Sequence, residues 1–118
     1  MSWQLVSAQV FGFNQVSRLV GGVRYAYTYN TGSKVKKSTD GGISWVDLSG
    51  SNAAGIEVSP TTGSVFLACN PSAKIQRSTD GGATWEIMSG SPQTDWVDIY
   101  VDADGIIYAV DYYGTGYK

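Results

Sequence analysis

Asp40 and Asp80 occupy the same place in two copies of one octapeptide, and carboxylates at matched positions are what general acid–base chemistry uses. Glu57 and Tyr100 are a further carboxylate and phenol, with no local pattern that orients them. Arg18, Arg24 and Arg77 are the three guanidinium groups, the type that clamps carboxylates with two parallel bonds. The third group is aromatic and polar: Phe13, Tyr29, Asn30, Asn70, Asp95, Trp96, Tyr112 and Tyr113. Rings that cover apolar C–H faces beside amides and carboxylates that bond hydroxyls suit a carbohydrate. There is no histidine, which removes the commonest general base and metal ligand. The single cysteine, Cys69, excludes an intrachain disulfide and a cysteine-based zinc site. Asp102-Ala103-Asp104-Gly105 begins like a calcium loop but lacks the remaining ligands, so a turn is expected there. No metal and no cofactor is expected.

The elements that must position these groups follow from an internal repeat. Ser38-Thr39-Asp40-Gly41-Gly42-Ile43-Ser44-Trp45 recurs 40 residues later as Ser78-Thr79-Asp80-Gly81-Gly82-Ala83-Thr84-Trp85. The match continues through Val46-Asp47-Leu48-Ser49-Gly50 and Glu86-Ile87-Met88-Ser89-Gly90. The opening Ser2-Trp3-Gln4-Leu5-Val6-Ser7-Ala8 reads like Ser44-Trp45-Val46-Asp47-Leu48-Ser49-Gly50. Tryptophans thus mark three units of about 40 residues, a period in the range of propeller blades. In the middle unit, strands are expected near 55–59, 64–69, 74–78 and 84–88, separated by Pro-Thr-Thr-Gly and Asn-Pro-Ser turns. No segment carries a sustained helical period. The chain is therefore expected to be all-β, one partial propeller domain over 1–118 with three four-stranded blades.

The two octapeptides resemble the Asp-box, Ser-x-Asp-x-Gly-x-Thr-Trp, of bacterial neuraminidase repeats, sialidases, sortilin-like receptors and a photosystem assembly factor. The first copy departs from it with Ser44 in the threonine position. The resemblance implies an Asp-box β-propeller and says little about activity, because one fold hosts many functions. Local chemistry gives the box residues structural roles. Asp40 and Asp80 accept turn N–H groups, and Gly42 and Gly82 supply positive φ. Ser38 and Ser78 satisfy further turn groups, and Trp45 and Trp85 open the fourth strands and bury against the hairpin. In the family this turn lies opposite the usual binding face.

The third unit ends before its box, and its fourth strand has a counterpart at 3–7. Propellers run from about four to eight blades, so three cannot close alone. The expectation is a head-to-tail homodimer of six blades, in which segment 3–7 of one chain completes the third blade of the other. A trimer of nine blades is the alternative. So is an engineered or fragmentary piece of a longer propeller.

Charge and composition limit the partners. The 118 residues carry 8 basic and 10 acidic side chains, a net charge of -2, which argues against a nucleic-acid partner. No apolar run is long enough to span a bilayer, no signal peptide is visible, and the compartment stays unassigned. Loops after the second and fourth strands of each unit share the face opposite the boxes, and the aromatic and amide residues named above fall on them. A sialidase resembling this family would need an arginine triad, a Tyr nucleophile paired with Glu and an Arg-Ile-Pro motif. The motif is absent, Arg77 falls beside the box on the other face, Arg24 falls on a second strand, and nothing in the sequence orients Glu57 with Tyr100. First strands carry Arg18, Glu57, Asp98 and Tyr100, with Arg18 and Glu57 expected as an ion pair between neighbouring blades. The expectation is a non-catalytic, lectin-like binding module. Its alternatives are a protein-interaction scaffold and, behind both, a hydrolase.

Overall fold

The computed structural model describes residues 13–18, 20–28, 35–49, 53–70 and 72–118, with the backbone of 13–16 and 28. These residues form eleven short strands and no helix. Strands β1 (Phe13–Val16), β2 (Arg24–Thr28), β3 (Val35–Ser38) and β4 (Val46–Asp47) make one antiparallel sheet in chain order. A second sheet repeats it with β5 (Ala53–Val58), β6 (Val65–Cys69), β7 (Gln76–Ser78) and β8 (Glu86–Ile87). The third has three strands, β9 (Trp96–Val101), β10 (Ile107–Asp111) and β11 (Gly116–Tyr117). The described residues are thus all-β, in three small antiparallel sheets compatible with propeller-like blades.

The repeat is deeper in the structure than in the sequence. Each first strand carries a register shift against the second at the same place: between Phe13 and Gln15, between Ala53 and Gly55, and opposite Val110 and Asp111. A bulge of this kind bends the strand and increases its twist. Because the strands alternate in direction, the 38–45 and 78–85 turns lie at one end of the sheets, with the links between first and second strands. The links after second and fourth strands lie at the other.

Two interfaces join the sheets, and equivalent positions build both. Tyr25, Tyr27 and Val35 of the first sheet pack on Ala53, Ile56, Val58, Val65 and Leu67 of the second. Phe66, Ala68 and Ile75 of the second pack in the same way on Trp96, Ile99, Val101, Ile107 and Ala109 of the third. Leu67 has no exposure, and the matched position in the third sheet is Ala109; Ala53 is likewise replaced by Trp96. The bulk moves from one strand to its neighbour while the interface remains filled. Leu48 and Met88 close the rims of these two interfaces.

Three expectations change here. Trp45 and Trp85 stand before β4 and β8 rather than within them, and both remain partly exposed. Phe13 lies in β1, paired with Thr28, rather than in a loop. Arg18 lies two residues beyond the end of β1. Segment 3–7, Tyr29 and Asn30 fall outside the described residues.

Candidate functional site

The repeated turns account for Asp40 and Asp80. Asp80 Oδ1 accepts the Thr84 N–H at 2.9 Å and the Ser78 hydroxyl at 2.7 Å, while the Thr84 hydroxyl donates to Oδ2. Asp40 repeats this with the Ser44 N–H at 2.9 Å, the Ser38 hydroxyl at 2.9 Å and the Ser44 hydroxyl. Ser38 and Ser78 are buried, and each hydroxyl accepts the N–H of the turn glycine four residues on, Gly42 at 2.9 Å and Gly82 at 2.8 Å. Both glycines have positive φ, 91° and 89°. At Gly82 a Cβ would also lie 2.4 Å from Leu48 Cδ1, so the turn must present bare backbone to the first sheet. The Trp45 indole N–H donates to the Gly42 carbonyl at 3.0 Å. Trp85 packs into the first interface instead.

The hydroxyl and N–H of Ser44 hold the Asp40 carboxyl down at about 2, and those of Thr84 do the same for Asp80. A carboxylate this far below neutrality, with both oxygens committed to its own turn, is a poor proton acceptor for chemistry. The same shift predicts an acid dependence. The folded carboxyls bind protons less readily than the unfolded chain, whose value is about 3.9. The stability they add is therefore complete above that value and is lost as pH falls toward 2. Urea midpoints should fall between about pH 4 and pH 2, and Asp80→Asn should flatten part of that decline.

The opposite end of the sheets gathers Asn70, Asp95, Trp96, Tyr112 and Tyr113. Asp95 accepts the Ser72 N–H on Oδ1 and the Tyr113 hydroxyl on Oδ2, the latter at 3.3 Å. Its carbonyl accepts the Tyr112 N–H at 2.8 Å. Ser72 has a φ of 45°, in the left-handed region, and this N–H bond anchors it. A two-bond bridge between Ala73 and Thr94 ties the β6–β7 link to the β8–β9 link beneath this cluster. The charge and hydrogen bond of Asp95 raise the Tyr113 phenol above its ordinary value. Tyr112 and Tyr113 stand edge to face, with ring centroids 5.7 Å apart.

Trp96 does not join that surface. Its side chain has 0% exposure and packs edge-on against Tyr117, with centroids 5.2 Å apart. A ring inside the interface between second and third sheets cannot face a ligand, so its role is packing. Only its carbonyl belongs to the site, accepting the Asn70 amide at 3.3 Å.

Asp111 is a residue that sequence reasoning missed. Its side chain is buried, and Oδ1 accepts the N–H groups of Tyr113 at 3.1 Å and Thr115 at 2.9 Å. Oδ2 accepts the Thr94 hydroxyl at 3.1 Å. This carboxylate shapes the turn that presents both tyrosines. Asp102 binds the N–H groups of Asp104 and Ile106 in the same way, at 2.9 and 3.0 Å. An aspartate three residues before a glycine is the signal shared by both turns, Asp102 with Gly105 and Asp111 with Gly114.

The inner strands hold a separate polar group. Arg18 Nε donates to Glu57 Oε1 at 2.9 Å, and Nη2 donates to Oε2 and to the Val101 carbonyl, both at 3.3 Å. Its guanidinium carbon lies 5.4 Å from the centre of the Tyr100 ring. The ion pair thus joins first and second sheets and reaches the third. Arg24 opens β2, and Arg77 lies in β7 beside the repeated turn. Cys69 ends β6 as a buried thiol, pushed up to about 11 by burial. Among the described residues, no group of three or more Cys, Asp or Glu side chains is placed to hold a metal.

No protein-family model matches the chain, and no curated protein does. Among solved structures, it is similar to the GH74 enzyme of Niastella koreensis, at 18% identity and a TM-score of 0.60. The alignment covers 84% of this chain and 19% of that enzyme, so the chain spans about a fifth of its length. At this identity the likeness is one of fold, shared over most of the three-sheet array.

Proposed function

We propose that this chain is a non-catalytic binding module that takes carbohydrate on the end of the sheets carrying Asp95, Tyr112 and Tyr113. The observation that carries this reading is the tyrosine pair, 76% and 70% exposed, held by the turns around Asp95 and Asp111. Two rigid rings exposed beside a carboxylate offer a stacking face and a hydroxyl acceptor in one place. The reading as a binder draws support from Glu57, whose carboxylate oxygens are both engaged by Arg18. Arg18 also lies against the Tyr100 ring, 5.4 Å from its centre, so the carboxylate is held in an ion pair rather than left beside the phenol as a base.

The same reading takes the two repeated turns as Asp-boxes and the three sheets as half of a six-bladed ring closed by two chains. Three chains and nine blades are the alternative. Two copies per ring would raise avidity for a glycan surface.

A glycan array probed with the full chain tests the binding reading. A hit whose affinity falls about tenfold or more in Tyr112→Ala supports it, the loss expected for an aromatic anchor. A blank array, or a hit indifferent to Tyr112→Ala, overturns it.

A further inference from the structure

We infer that the uncovered face and open edge of the third sheet are an acceptor site for a second copy of this chain. Segment 3–7 of that copy supplies the missing fourth strand, and its first sheet covers the face. This rests on the reading of the fold as a ring closed by two chains, and it identifies the residues that close it.

The face is defined by the two interfaces already inside the chain. Tyr25 and Phe66 occupy matched positions and are 4% and 6% exposed, because the next sheet covers each. The third-sheet residue in that position is Tyr108, and it is 39% exposed; Val110, matched to Tyr27 and Ala68, is 43% exposed. Tyr100 lies beside Tyr108 on the same face, with ring centroids 6.4 Å apart. An open groove of about 400 Å³ runs over this face, bounded by Asp98, Tyr100, Tyr108, Val110 and Lys118. A position that is apolar and covered twice is here apolar and uncovered. The surface that covers it in both existing cases is the side of the following sheet formed by its first and second strands. In a second copy, no sheet among the described residues precedes the first, and Ala26 takes the position of Leu67 and Ala109, already fully buried.

The edge points to the same occupant. In the first interface Leu48 sits on Gly82, and Trp85 packs beside it. Met88 takes the place of Leu48 in the second interface, but the third sheet has only three strands, so no such turn stands against it among the described residues. A cavity of about 400 Å³ lies there instead, lined by Met88, Pro92, Trp96, Ile107 and Tyr117 among others. The indole N–H of Trp96 in its wall has no hydrogen-bond partner among the described residues. Edge strands with unpaired backbone are templates for another strand. Ser2-Trp3-Gln4-Leu5-Val6-Ser7 has the pattern of Ser44-Trp45-Val46-Asp47-Leu48-Ser49, which places Trp3 as the tryptophan for this cavity and Val6 at the rim position of Leu48.

The test is the mass of the full chain by light scattering after size exclusion. Wild type should have twice the 12.6 kDa of one chain. Tyr108→Lys and Trp3→Ala should each halve that mass with the β circular-dichroism spectrum retained, since both act where this sheet has no cover. Val110→Lys repeats the acceptor arm should Tyr108→Lys fail to fold. Ile87→Lys, on an exposed outer strand, should leave the mass unchanged. Mixing Tyr108→Lys with Trp3→Ala should restore a two-chain species, because one intact donor then meets one intact acceptor. A wild type of one-chain mass overturns both this site and the closed ring. A two-chain wild type that keeps its mass in Tyr108→Lys, Val110→Lys and Trp3→Ala overturns the acceptor site and leaves the ring standing.

Discussion

Trp96→Ala should lower the free energy of unfolding by about 3–5 kcal/mol, the usual cost of emptying a buried aromatic site. Trp96 has no exposure, and Phe66, Ala68, Ile99 and Ala109 share its cluster. Two of these neighbours, Ala68 and Ala109, are too small to fill the space that the indole leaves. Urea denaturation followed by circular dichroism measures the loss. Tyr112→Ala is the control: an exposed ring 16 positions along the chain should leave the midpoint nearly where it was. Equal midpoints for the two variants would place Trp96 on the surface and contradict the packing described above.

Leu67→Ala should cost about 2–5 kcal/mol, with the cavity term deciding where in that range it falls. Leu67 is fully buried in the first interface with Tyr25, Tyr27, Val35 and Ile56. Alanine is what the third sheet already carries at the matched position, as Ala109. There Trp96 fills the interface, whereas the second sheet offers Ala53. The substitution therefore imports one half of a compensating pair. A loss well below this range, read from the same urea curves, would show that the first interface repacks around the gap. Trp96 and Leu67 stand in different interfaces, so their costs should add in the double variant.

Much of the local structure was legible in the residues themselves. Ser38, Asp40 and Gly42, like Ser78, Asp80 and Gly82, complete their hydrogen bonds within about five residues, so a short pattern is enough to specify the turn. The 40-residue spacing of those turns then set the length of each sheet and the strand order, because the links between strands are too short for any other path. The Arg18–Glu57 pair was legible for a related reason: matched stretches of neighbouring units lie side by side, although Arg18 stands just past the end of β1.

Which aromatic rings lie inside depends on packing between sheets. Trp96 and Tyr112 look alike in sequence, each in a polar, loop-like stretch beside an aspartate. Their fates differ because the second sheet lies over Trp96, whereas the Tyr112 ring is exposed. Burial is set by neighbours 20 to 40 residues away, and no local pattern carries that information. The register shift in each first strand was hidden for the same cause, being a property of pairing between strands. The turns, the period and the all-β class are readable from the residues alone, through hydrogen bonds that close within a few positions. The tertiary structure decided which ring packs, which is exposed, and which sheet face has no cover, since each depends on volumes meeting across an interface.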